Sequence, residues 1–128
     1  MIASHLLERS GNFLENPEFK QSSAHLTWWK AVDQALFRAY WYSELPPQLE
    51  ATPLQLLLDL KGVSYQTTGQ FHYVVETDVK PEHEEEMNAW YNTEHLIGLS
   101  QVPGVISASR YLRLSGGPRF VACYELES

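Results

Sequence analysis

The chain has 128 residues, 44% of them apolar, and a formal net charge of -7 at pH 7. That length suits one domain with one core, and that apolar content excludes a disordered chain. The acidic balance speaks against nucleic acid and against anionic membrane surfaces as partners, because both need a basic face.

Seven of the sixteen acids lie between Glu76 and Glu94, so the negative charge is concentrated there. Cys123 is the only cysteine. It can form no internal disulfide and no cysteine-based zinc site, and a reducing cytoplasm is the expected compartment. Residues 1 to 10 lack the basic n-region and long apolar run of a signal peptide. No apolar cluster is long enough to span a bilayer.

Along residues 1 to 14, Leu6, Leu7, Phe13 and Leu14 surround Ser10-Gly11-Asn12, which reads as a short helix or strand and then a turn. Asn16-Pro17-Glu18 is a helix start: an Asn cap, Pro at the first position and an acid near the positive end of the dipole. The expected helix runs through Ser23, with a second helical piece from Thr27 to Asp33. Leu36 to Tyr42 is rich in aromatics with β preference and is predicted as a strand that Pro46-Pro47 ends. Thr52-Pro53 is read as opening a short apolar helix, Leu54 to Leu60, closed by Lys61-Gly62. Residues 63 to 69 read as loop.

Phe71 to Thr77 is a predicted strand with Phe71, Tyr73 and Val75 on one face. Lys80-Pro81-Glu82 starts the next helix, with Glu82, Glu84 and Glu85 in the first turn, where the macrodipole favours acids. It is expected to run to about Gly98 or Gln101. Val105 to Leu114 is a strand, Ser115-Gly116-Gly117-Pro118 a hairpin turn, and Arg119 to Leu126 the last strand.

From residue 70 onward the order is β-α-β-β, three-quarters of a split ferredoxin-like unit. The missing helix and strand have a candidate at the other end, in Pro17 to Asp33 and Leu36 to Tyr42. The expected fold is therefore α+β: a circularly permuted, ferredoxin-like four-stranded antiparallel sheet with helices on one face. The N-terminal strand would lie beside the Phe71 strand. In this reading residues 1–128 are a single domain: 1–45 complete the sheet, 46–70 are a long connection, and 71–128 form the β-α-β-β core.

Residues 88 to 111 hold the densest chemistry. Trp90, Tyr91, Glu94 and His95 fall on one helical stripe, because side chains three and four apart share a face. The following strand carries Arg110. The series Trp90-Tyr91-Asn92-Thr93-Glu94-His95-Leu96, then Val102-Pro103-Gly104-Val105, Ala108-Ser109-Arg110-Tyr111 and Tyr124-Glu125-Leu126-Glu127-Ser128 resembles the dimeric α/β-barrel superfamily, nearest to its EthD-like members. That resemblance implies a homodimer pairing sheet face to sheet face, with a pocket between helices and sheet in each subunit. It also implies activities such as cofactor-independent or haem-dependent monooxygenation, isomerisation, cyclisation or dehydration of aromatic or polyketide-like compounds. Fold similarity alone does not choose among these.

On chemistry, His95 is the candidate acid-base group, because imidazole titrates near neutral pH; the plain alternative is a helix-end histidine bonded to a carbonyl. Tyr91 would assist it by hydrogen bonding. Glu94 and Arg110 are read as an ion pair joining helix to strand, or as ligands of a substrate carboxylate or other polar group. Trp90 and Tyr91 either pack in the core or line a pocket, and the same alternatives hold for Tyr73 and Tyr124. The run from Glu82 to Glu86 reads as exposed acids at a helix start rather than a metal site. There is no glycine-rich phosphate loop and no nucleophile elbow. The leading expectation is a cofactor-independent enzyme, with haem as an outside option, that acts on a small apolar or aromatic ligand. The rival is a non-catalytic dimeric module that binds a metabolite or assembles.

Overall fold

A computed structural model of the chain describes residues 3–10, 26–32, 36–43, 47, 51–66 and 69–127. The chain forms two compact units, Met1–Gln55 and Leu56–Ser128.

In the first unit, β1 (His5–Ser10), β2 (Leu26–Lys30), β3 (Leu36–Trp41) and the beginning of β4 (Thr52–Lys61) are ordered β2-β3-β1-β4. Leu7 faces Ala39 on β3, and Trp28 faces the same Ala39 from β2. Leu7, Leu26 and Ala39 are buried together, with Trp28, Trp41 and Ala51 packed on them. The small Ala39 lets larger neighbours close over it from both sides. Glu8 stands directly opposite Arg38, and their side chains form an ion pair at 3.1 Å, a favourable cross-strand arrangement.

In the second unit the order is β4-β6-β7-β5, with β5 (Phe71–Thr77), β6 (Val105–Arg113) and β7 (Phe120–Leu126). β7 pairs antiparallel with both β6 and β5. The hairpin between β6 and β7 is closed by the Arg113 amide donating to the Arg119 carbonyl at 2.8 Å. Between β5 and β6 comes one helical segment. A 3-10 turn (Pro81–His83) leads into α1 (Glu84–Trp90), a π-helical turn (Tyr91–His95) and α2 (Leu96–Ser100). Pro81 sits at the helix start, and Glu84, Glu85 and Glu86 occupy the first turn of α1, as the dipole argument expects. This segment packs on the sheet through Tyr91 and Leu96, against Ala108, Ala122 and Tyr124. No helix among the described residues is long and apolar enough to cross a membrane.

Several expectations are corrected. The four-stranded ferredoxin-like α+β sheet with helices on one face is not formed, and the α/β-barrel architecture implied by the resemblance goes with it. The described residues instead form seven strands and one helical segment. Nor does the front end close the sheet in permuted order: β3 pairs with β1 and β2, and the ladder partner of β5 is β7.

Two predicted helices are strands. Thr27–Asp33 gives way to β2, and Leu54–Leu60 lies within β4. A short leucine-rich run fits a buried strand as well as a helix, and tertiary pairing decides between them. Here the Leu54 amide donates to the Ser4 carbonyl, Leu58 and Leu60 pack on the second unit's core, and Asp59 accepts a hydrogen bond from Ser109 on β6. The expected helix at residues 17–23 lies outside the described residues.

Candidate functional site

The site lies on the helix-bearing face of the second unit's sheet. Cross-strand register builds its floor. Tyr73 on β5 faces Tyr124 on β7, which faces Ala108 on β6; one step along, Val75 faces Ala122, which faces Arg110. The alanines leave room for the long side chains beside them. Tyr91 comes down onto this floor, its ring under the Arg110 guanidinium at 4.5 Å. Phe120 offers a second ring face at 5.4 Å. Tyr73 and Tyr124 stack obliquely with centroids 6.0 Å apart.

Arg110 is 1% exposed. Its Nη1 donates to the Asn92 Oδ1 at 3.0 Å and its Nη2 to the Asn88 Oδ1 at 2.8 Å. The two asparagines stand one helical turn apart, so together they clasp the guanidinium from above. The expected ion pair with Glu94 is not made: Glu94 is exposed, and two neutral amides take its place. Burial lowers the Arg110 pKa, while Tyr91 and Tyr124 oppose part of that shift. Arginine nonetheless keeps its charge at any pH at which the protein is folded.

The π turn shapes the upper part of the site. In an α-helix, residues five apart point roughly 140° away from each other, so Trp90 and His95 could not stack. In a π turn the hydrogen bond runs over five residues, as in the Leu96 amide donating to the Tyr91 carbonyl, and side chains five apart come into line. Trp90 and His95 accordingly stack at 4.3 Å, with planes 14° apart. Tyr91 meets the edge of both, at 5.1 Å from each. Thr93 bonds back to the Ala89 carbonyl at 2.6 Å on the outer side, a contact that bends helices. Trp90 is 46% exposed and His95 half-buried, so the stack meets solvent, whereas Tyr91 is buried.

The structure thus gathers Trp90, Tyr91, His95, Arg110, Tyr124 and Tyr73 in one continuous row and leaves Glu94 out of it. Asn88, Asn92 and Phe120 were missed. The amide pair had a legible signal, two asparagines four residues apart on a helix opposite an arginine strand. Among the described residues, no three His, Cys, Asp or Glu side chains are grouped to hold a metal ion.

Burial, reinforced by the neighbouring Tyr91 and Cys123, pushes the Tyr124 phenol up to about 12. Its folded pKa lies above the unfolded one. The associated stability is therefore complete below the ordinary tyrosine value of about 10 and is lost as the pH rises through about 12. Tyrosinate absorbance should show a phenol that titrates late, near pH 12. Tyr124→Phe should remove it and flatten the loss of stability across that alkaline window. A titration unchanged by the substitution would contradict the assignment.

Comparison with known proteins found no matching family model, and neither the curated proteins nor the solved structures gave a significant match.

Proposed function

We propose that the second unit binds a small aromatic or polyketide-like compound against the Trp90–His95 stack and transforms it without a cofactor. His95 moves the proton. The observation carrying this reading is a half-buried imidazole stacked on a half-exposed indole at 4.3 Å. An aromatic compound can extend such a stack, and an imidazole at its rim can exchange a proton with the compound and with water. Tyr91, in edge contact with both rings, orients the imidazole. The single free cysteine, Cys123, is buried, which fits a cytoplasmic setting.

A second reading is favoured by a different observation. Tyr91, Arg110 and Tyr124 are buried at 9%, 1% and 3% exposure, so they fill the layer between helix and sheet as a core does. On that reading the second unit is a non-catalytic binding module.

The two readings separate in one experiment. A panel of aromatic and polyketide-like compounds is screened by thermal shift, and the compounds that bind are followed for consumption by mass spectrometry. An enzyme consumes at least one of them, and His95→Ala lowers its turnover about 100-fold or more. Binding without consumption supports the module. Consumption unchanged in His95→Ala would rule out the proton-transfer role.

A further inference from the structure

Arg110 poses a problem that packing alone does not answer. A buried charge is expensive unless paired, yet the partners of this guanidinium among the described residues are two amide oxygens and two aromatic rings. None of them carries a negative charge. An aspartate in place of Asn88 or Asn92 would neutralise it at the same spacing, but both positions hold the neutral isostere. A positive charge is therefore kept inside the second unit without a fixed counter-charge among the described residues.

The groups around it are phenols. Tyr91 and Tyr124 lie close enough to act on Arg110 electrostatically, and Tyr73 and Tyr91 act on Tyr124. Tyr73 is 59% exposed and Tyr124 3%, so the row runs from solvent inward to the guanidinium. Burial raises the Tyr124 phenol, so at neutral pH it stays protonated and remains a hydrogen-bond donor. A fixed cation among protonated phenols stabilises negative charge that forms on an oxygen brought near them.

We infer that the second unit selects compounds with an acidic oxygen, a phenol or an enol, and binds them as the oxyanion, with Arg110 supplying the charge. This rests on the proposed aromatic-binding reading and narrows its substrate class. Arg110 is a positioning residue here, acting through the phenols and through its field. With an effective dielectric constant of about 20, a unit charge within about 7 Å of an oxyanion would shift affinity by more than about tenfold.

The test compares two probes of nearly equal shape, para-nitrophenol and para-nitroanisole, at a pH where the phenol is ionised. The intact protein is expected to prefer the phenolate by about tenfold or more. Asn92→Asp, which places a carboxylate on the guanidinium, should cut that preference to within about threefold while the melting temperature holds or rises. Asn88→Asp makes the same comparison from the other side of the clasp. A role confined to holding helix to sheet predicts a firmer clasp and an unchanged preference, which would overturn the inference. Equal binding of the two probes by the wild-type chain would also overturn it, yet leave the aromatic-binding reading standing. Binding of neither probe would remove both.

Discussion

Gly62→Ala is expected to destabilise the protein by about 3 kcal/mol or more, although it adds a single methyl group. Gly62 follows β4 and is buried against β6, its amide donating to the Ile106 carbonyl at 2.8 Å. A Cβ there would lie 2.0 Å from the Val105 carbonyl oxygen, 2.6 Å from the Val105 carbonyl carbon and 2.9 Å from that of Ile106. All three are backbone atoms, so no side chain can swing aside. Relief requires β6 to move, and the neighbouring bonds move with it: Val63 donates to Ser100 and Ser64 to Val105. Gly98, on α2, is the control, with nothing within 4 Å of its added Cβ. Gly98→Ala should stabilise by roughly 0.5–1 kcal/mol through helix propensity. Urea unfolding of the two variants side by side checks both signs. A Gly62→Ala midpoint close to wild type would mean that β4 and β6 do not approach as described.

Replacing Arg110 by alanine should lower stability by about 3–5 kcal/mol. The variant loses two charge-assisted hydrogen bonds and two ring contacts, and it leaves the Asn88 and Asn92 amide oxygens without their donor. Arg110→Met should be milder, because it fills the space over Tyr91 and Phe120 and also removes a desolvated charge. Adding Asn88→Leu and Asn92→Leu to Arg110→Met should then recover much of the loss, since the stranded acceptors go too. Denaturation of the single and combined variants as a mutant cycle measures that coupling. Strictly additive effects would show that the clasp is energetically idle.

Much of the second unit could be read from the chain. Phe71 to Thr77 and Val105 to Leu114 alternate at period two, Pro81 with its acids marks a helix start, and Gly116-Gly117-Pro118 marks a hairpin. Each of these signals is local. In the first unit the aromatic run from Leu36 to Tyr42 reads as the strand it forms over Leu36–Trp41, but the evidence for β2 and β4 is not local. Trp28 and Trp29 sit on a strand that forms through its ladder with β3 and the packing of Leu26 and Trp28, and β4 is a strand because Ser4 binds the Leu54 amide, Ser109 binds Asp59 and the second unit's core takes Leu58 and Leu60. At the site, residue types and spacing picked out Trp90, Tyr91, His95 and Arg110, but ideal helical geometry gave Glu94 the wrong neighbours. It paired Glu94 with Arg110 by charge, whereas the structure satisfies Arg110 with neutral amides. Nothing in the composition of Tyr91 to His95 announces a wide turn.

That wide turn makes the number of residues in the segment as informative as their identity. It holds one residue more than the surrounding helical repeat can absorb, so the residues before it and those after it are out of phase by the angle of a single position. A related chain shorter by one residue here could keep the same sheet and the same apolar letters. Its tryptophan and histidine would then stand four apart, on one face of an ordinary α-helix. When distant relatives are aligned, a one-residue gap between the Trp90 and Leu96 positions is therefore the mark of a chain in which the wide turn has closed into an ordinary α-helix.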